Sequence, residues 1–321
     1  MRGEFNMPPG VSTRDIPGNG KDEDEAYENA RQRLIDAEGF YTNMPMAEYL
    51  ADPCERPSLN SGTLGKLINR SPLHAWTAHP RLNPRYRSHE SDAFDYGTAA
   101  HALFLEGTES GLVIVEADDW RTKAAREAKQ AAHAAGKTPL LTRQVAQVRT
   151  MVEASRQALQ ASELAGIEWT NELTMIWHEG DAPCRARMDS LSADTRIILD
   201  YKTTENANPD AFSRSLFSYG YDLQAAFYLR GLEALGHEGA QFVFLAQETE
   251  PPFACSLIGL DPACLAIAQE RVRYGIELWK RCVRSGDWPG YPNRVAWLEP
   301  PAWYASQARS WEEMMELGGQ A

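Results

Sequence analysis

The sequence predicts an α/β protein, a mixed α+β sheet flanked by helices, and three observations carry that expectation. Apolar residues recur at helical spacing through much of residues 57–160. They switch to strand-like alternation over residues 169–202, and both patterns alternate from there to residue 285. The chain has 321 residues, 43% hydrophobic and 24% charged, the balance of one large globular domain or two modest ones. That composition excludes a collagen-like chain, a disulfide miniprotein and a wholly disordered chain. No run reaches the ~18–20 apolar residues of a membrane span. Met1 to Asp15 has no apolar h-region of a secretory signal. The five cysteines are unpatterned, which fits a reducing, cytoplasmic setting.

Taken in order, residues 1–56 read as a mobile acidic leader with short helices. Gly, Pro, Asn and acids prevail to residue 35, a charged helical stretch is expected over Glu23–Glu38, and a short helix or loop around Met46–Leu50. Ser61 is the expected N-cap of a helix whose Leu64, Leu67 and Ile68 share a face. Ser71-Pro72 ends or restarts it, ahead of Leu73, Trp76 and Thr77. Gly97–Gly107 is a compact helix with small residues on one side, and Leu112–Val115 a strand. Residues 118–160 are helical, broken at Gly136 and recapped at Thr142, with Val145, Val148, Met151 and Val152 as the apolar face. Trp169–Trp177, Cys184–Asp189 and Arg196–Lys202 alternate as strands joined by short turns, an antiparallel meander. Residues 210–235 return to helix, and Gln241–Ala246 and Phe253–Gly259 are strands. A long helix over 262–285 carries a core stripe of Leu265, Ala268, Val272, Ile276 and Trp279. An aromatic- and Pro-rich tail follows.

The net charge of −13 speaks against a polyanion partner until its distribution is read. Residues 1–56 hold 12 acids and 6 bases, and residues 299–321 hold 4 acids and 1 base, so the span between them is close to neutral. Within it, residues 57–90 carry five Lys/Arg against Glu90, and residues 121–149 seven against Glu127. Each stretch suits a polyanion, and each also suits an ordinary solvated helix face.

The chemistry concentrates in CRARMDSLSADTRIILDYK. Strand alternation puts Arg185, Arg187 and Asp189 on one face, and Asp200 and Lys202 on one face of the next strand. A short hairpin between them lets Asp189, Asp200 and Lys202 converge. Two carboxylates and an ammonium form a hard-cation site, suited to phosphodiester hydrolysis with the lysine orienting or deprotonating water or holding the phosphate. A surface Asp–Lys pair gives the same D-x-K. Gln224 and Tyr228 stack four apart on one helical face, within reach of a phosphate or base edge, or simply as the polar side of an amphipathic helix. His101, among small residues, is either a satisfied core histidine or a third ligand.

Four segments in order resemble a known superfamily: G-T-A-x-H-x-L-x-L-E from Gly97 to Glu106, R-x-R-x-D from Arg185 to Asp189, D-x-K-T-T from Asp200 to Thr204, and Y-x-x-Q-A-A-x-Y from Tyr221 to Tyr228. Together they resemble PD-(D/E)XK nucleases, within them the RecB-like group, and most closely the RecE-type (exonuclease VIII-like) domain of phages and prophages. Ser58, Ser61, Ser71-Pro72 and the late Trp288–Tyr291 (W-P-G-Y) look similar as well. The resemblance implies a restriction-endonuclease-like core over residues 57–305, with a C-terminal tail at 306–321. It implies metal ligation by His101, Asp189, Asp200 and the Tyr201 carbonyl, a catalytic Lys202, and DNA positioning by Gln224 and Tyr228. Glu172 is a candidate further carboxylate beside the metal or on a second ion. Arg185 and Arg187 are expected to contact phosphate or pair with the acids.

The activity so implied is a Mg²⁺-dependent exonuclease, with Mn²⁺ as substitute, resecting double-stranded DNA ends 5′→3′ to leave 3′ strands for an annealing protein. A ring-shaped homo-oligomer would turn basic patches inward, and Lys66, Arg70, Lys123, Arg126, Lys129 and Arg143 are the residues expected to face DNA. Cys255, Cys264 and Cys282, nine and eighteen residues apart, are too widely spaced for the iron–sulfur cluster of some relatives. A nucleotide-binding Walker loop is missing, so no helicase motor is expected. Two other readings stand beside this one: an end-trimming or structure-selective nuclease of the same superfamily, and a catalytically silent DNA-binding scaffold.

Overall fold

A computed structural model describes residues 34–87, 95–105, 107, 109, 111–135 and 137–307. Most of the expected Glu23–Glu38 helix, the ends of the Gly97–Glu106 motif and of the tail, and the Gly136 break lie outside them. The chain divides into two units, Met1–Pro289 and Gly290–Ala321. In the second, residues 302–307 are helical and Trp297 and Leu298 are exposed.

The first unit is built on a six-stranded sheet in the order β1-β4-β5-β6-β7-β8. Its strands are β1 (Gly39–Tyr41), β4 (Trp169–Glu179), β5 (Ala182–Ser192), β6 (Ile197–Thr204), β7 (Gln241–Glu248) and β8 (Cys255–Gly259). β4, β5 and β6 form the expected antiparallel meander. β6 and β7 are parallel, joined by α7 (Pro209–Tyr219) and α8 (Tyr221–Ala234), and β8 returns antiparallel. A separate parallel pair, β2 (Leu112–Val115) and β3 (Thr138–Leu141), lies off the main sheet.

Helices cover both faces. On one, α2 (Ser61–Asn69), α3 (Pro72–Thr77), α8 and α9 (Pro262–Ser285) pack on Leu173, Met175, Trp177, Ala186, Met188 and Phe244. On the other, α4 (Asp95–Leu105) and α6 (Thr142–Gln160) pack on Leu199, Tyr201 and Leu245. The expected stripes do this work: Val145, Val148, Met151 and Val152 of α6 are buried, as are Ala268, Val272, Ile276 and Trp279 of α9. α9 is delimited as its sequence suggests. Asp261 accepts from Ala263 N and Cys264 N, Pro262 opens the first turn, and left-handed Gly286 closes the last. α1 (Met46–Leu50) and α5 (Lys123–Ala134) are the other helices among the described residues of this unit.

Several expectations are corrected. The cap of α2 is Asn60, whose side chain accepts from Thr63 N, and Ser61 is already helical. Thr142 is likewise the first residue of its helix, and Gln144 reaches back to accept from Leu141 N at 2.7 Å. The helix over 210–235 is two helices, because Gly220 adopts φ +74°. Residues 118–160 are interrupted by β3 as well as by a helix break. The described end of the leader is ordered. Ile35 bridges to Cys54, β1 pairs with β4, and Met44, Tyr49 and Cys54 pack on Ile176.

Candidate active site

The site lies where the sheet comes apart. β5 and β6 pair only at Ser190↔Leu199 and Leu191↔Ile198. Beyond Ser190 the ladder stops, and the Asp189 carboxylate takes its place, its Oδ2 accepting from Tyr201 N at 2.8 Å. On the other side of β5, the pairing with β4 skips one step, between Asn171↔Ser190 and Leu173↔Met188. The skipped residues are Glu172 and Asp189, and Glu172 sits in the left-handed region at φ +55°. For a non-glycine residue that conformation is costly, and such strain gathers at functional positions. The inward-facing set changes here too: Leu173 and Met175 face the core under α8, whereas Trp169 faces the core under α6.

α4 delivers His101 to this opening. Its Nε2 is 3.1 Å from Asp189 Oδ1 and its Nδ1 3.6 Å from Glu172 Oε1. A Cβ on Gly97 would meet Thr203 Oγ1 at 2.8 Å, so the glycine lets α4 lie close against the end of β6. One ligand atom from each of His101, Glu172 and Asp189 falls within 4.8 Å of the others. Asp200 and Lys202 approach from β6. Lys202 Nζ contacts Asp200 Oδ2, and Gln224 Nε2 of α8 donates to Asp200 Oδ1 at 2.7 Å. Lys202 Nζ also lies 5.0 Å from the centre of the Tyr221 ring.

The electrostatics separate the two aspartates. Burial pushes the Asp200 carboxyl up to about 6, the Lys202 ammonium opposing and the Asp189 charge adding to it. Burial acts the same way on Asp189, but the His101 hydrogen bond and charge, Lys202 and the Tyr201 N–H outweigh it and hold that carboxyl below its usual range. Burial disfavours charge on His101 and Lys202 also. The surrounding carboxylates prevail and raise both.

A divalent cation suits these donors. Glu172 Oε1 is buried without a hydrogen-bond partner, and Asp200 Oδ2 is buried against the Lys202 ammonium. Among the described residues Glu172 Oε1 has only the imidazole, at a distance too long for a hydrogen bond, and Asp200 Oδ2 only the ammonium. Carboxylate oxygens with an imidazole form a coherent hard-cation set.

Other expected residues fall elsewhere. Arg185 is a correction: it is 1% exposed and locked to Asp52, Tyr49 O and Ser58, so no phosphate reaches it. Arg187 is held by Glu172 and by Met44 O at 2.7 Å, the salt-bridge alternative for this residue. Tyr228 is also a correction. It is buried and its hydroxyl donates to Arg187 O at 3.1 Å, bracing β5 rather than facing a substrate. Tyr201 turns its ring into the α6-side core, and its hydroxyl donates to Gln247. Lys66 and Arg70 are exposed on and just after α2. Lys123, Arg126 and Arg143 are exposed on α5 and α6, and Lys129 lies 5.3 Å from the Trp120 ring. Asp52 and Tyr221 are the neighbours that sequence reasoning did not assign. The signal for Tyr221 was its place at the head of the Y-x-x-Q segment.

A family model described as a PDDEXK-like domain of unknown function (DUF3799) matches residues 61–299. No curated protein matches the chain. Among solved structures it is similar to a Eubacterium rectale protein described as a "putative exonuclease", at 14% identity over 81% of this chain and 97% of that one, with a TM-score of 0.54. It is also similar to a phage-related exonuclease from Haemophilus somnus, at 12% identity over 72% of this chain and 96% of that one, with a TM-score of 0.30. At these identities the first likeness concerns the fold, a mixed sheet flanked by helices. No helix among the described residues is long and apolar enough to cross a membrane.

Proposed function

The chain belongs to the DUF3799 family of PDDEXK-like domains, and on that premise we propose that it is a Mg²⁺-dependent DNA exonuclease that resects duplex ends 5′→3′. The observation that supports this best is the meeting of His101, Glu172, Asp189, Asp200 and Lys202 at the break in the sheet, with Glu172 Oε1 left without a hydrogen bond and Asp200 Oδ2 met only by the Lys202 ammonium. Buried charge in that state is expensive unless a ligand completes it.

Each residue then has a part. His101, Glu172 and Asp189, with Asp200 beside them, would hold the divalent cation, whose chemistry here is to neutralise charge gathering on the scissile phosphate. The Tyr201 N–H fixes Asp189, and Gln224 fixes Asp200, so the carboxylates are oriented before substrate arrives. Arg187 holds the second oxygen of Glu172 and leaves the first turned to His101. Lys202, kept charged by its two aspartates, donates to a phosphate oxygen or orients the attacking water. Mn²⁺ would substitute for Mg²⁺. The 3′ strand left behind would pass to an annealing protein, and a ring of subunits would turn the exposed cations of α2, α5 and α6 toward DNA.

The test is a linear duplex labelled separately at its 5′ and 3′ ends, given to wild type and Lys202→Ala with Mg²⁺ or chelator. Early loss of the 5′ label, dependent on metal and on Lys202, is the expected result. Early loss of the 3′ label would discard the polarity. DNA bound but never cut would overturn the enzyme in favour of a scaffold.

A further inference from the structure

The corner between α7 and α8 carries features that the hydrolytic groups do not use. Tyr219, the last residue of α7, is 72% exposed, and Phe217 is 51% exposed. One exposed aromatic ring needs no explanation. Tyr219 stands at the end of a ring series that runs to the lysine. Tyr219 lies 5.7 Å from Tyr221, ring centre to ring centre, and Tyr221 lies under Lys202 Nζ. Tyr221 is itself clamped, stacked on Phe212 at 6.1 Å and against Phe244 at 5.9 Å.

The corner is also rigid and flanked by cations. Gly220 holds the turn at φ +74°, and a Cβ there would lie 3.6 Å from Asn69 Nδ2 at the end of α2. Asn69 Oδ1 accepts from Arg271, which also pairs with Asp222 of α8 at 2.8 Å. α2, α8 and α9 therefore meet at this point. Arg70, the residue after Asn69, is exposed there, and Arg214 is exposed on α7 one turn before Phe217. Aromatic faces interleaved with cations beside a phosphodiester site are the makings of a single-strand platform: rings stack on bases, guanidinium groups take phosphates.

We propose that Tyr219 is a stacking platform for a base of the strand whose phosphate lies at Lys202, and that Arg70 takes a flanking phosphate. The proposal rests on the nuclease reading above and names the unpaired nucleotide as what the site holds. Tyr219 is then a positioning residue that acts on substrate and leaves the carboxylates untouched.

The experiment uses the full chain with Ca²⁺ and a short single-stranded oligonucleotide carrying 2-aminopurine, whose fluorescence falls on stacking. The variants are Tyr219→Ala, Tyr219→Trp and Arg70→Ala, and cleavage of labelled duplex with Mg²⁺ is followed in parallel. Loss of one stacked base is expected to weaken binding by about 5- to 150-fold. Tyr219→Ala should lose the quench and that affinity, Tyr219→Trp should restore both, and Arg70→Ala should weaken binding while keeping the quench. Wild-type quench and affinity in Tyr219→Ala, with cleavage still dependent on Lys202, would overturn the platform and leave the nuclease standing. A wild type that neither binds nor cuts DNA would overturn both.

Discussion

β5 carries two charged clusters, one at Arg185 and one at Asp189, and they are built to opposite ends. The Arg185 guanidinium is buried against Asp52 at 3.1 Å and bonds to Tyr49 O and Ser58 O. Asp52 is saturated in turn, by Ser58 N at 2.9 Å, the Ser58 hydroxyl at 2.6 Å and His79. Around Asp189 the three carboxylates meet Arg187, His101 and Lys202, yet Glu172 Oε1 is left without a hydrogen bond and Asp200 Oδ2 has only the Lys202 ammonium. Burial raises both Asp52 and Asp200, yet Arg185 and its neighbours bring Asp52 below its ordinary value while Asp200 stays up at about 6. Equal burial thus has two meanings. A completed network ties the 35–58 segment to the sheet, and the other leaves the Glu172 Oε1 acceptor unmet.

The sharpest way to separate the clusters is to remove one residue from each. Lys202→Ala is expected to lower the cleavage rate by about 10²–10⁴-fold, with a melting temperature shifted by no more than about 4 °C. Steady-state rates and calorimetry on one preparation check this. Asp52→Ala should do the reverse. It leaves the Arg185 charge buried and unpaired, at a cost of about 3–5 kcal/mol in urea unfolding, while the fraction still folded keeps its affinity for metal.

A divalent cation should act on one cluster alone. At 100 times its Kd it is expected to stabilise wild type and Asp52→Asn by about 2.7 kcal/mol each, and Asp189→Asn by nothing, as read in thermal unfolding. The pH dependence should also split. The folded pKa of Asp52 lies below the ordinary aspartate value of 3.8, so its contribution is complete above that value and is lost as pH falls through the folded pKa. The folded pKa of Asp200 lies above 3.8, at about 6, so without metal its contribution is complete below 3.8 and is lost as pH rises through about 6. A cation must displace that proton, so metal affinity should fall by up to about tenfold per pH unit below 6. Urea unfolding of Asp52→Asn and Asp200→Asn across this range should show slopes changed in opposite directions, and equal changes would erase the distinction.

Much of this was legible in the residues, and the gaps have physical causes. The strands of the meander and the stripe of α9 face a core on one side, so their alternation survives in the sequence. His101, Asp200 and Lys202 stand out because each interrupts an apolar pattern, and Asp189 because it continues the polar face of Arg185 and Arg187. The left-handed turn at Glu172 leaves no such trace, since skipping one ladder step does not change the order of polar and apolar residues. Nor could spacing reveal that Asp52, in a stretch that reads as an acidic leader, is the partner of Arg185, because that pairing exists only after β1 joins the sheet. β3 was hidden by Pro139 and its shortness. Gln224 and Tyr228 do share a helix face, but the sheet beneath decides their ends: Gln224 meets Asp200, and Tyr228 meets a carbonyl of β5.

The most direct test of the difference between the clusters is calorimetric titration of Mn²⁺ at pH 7.5 into wild type, Asp189→Asn and Asp52→Asn. One saturable binding process in wild type and Asp52→Asn, lost in Asp189→Asn, is the predicted result. Binding that persists without the Asp189 carboxylate, or none in wild type, would contradict it.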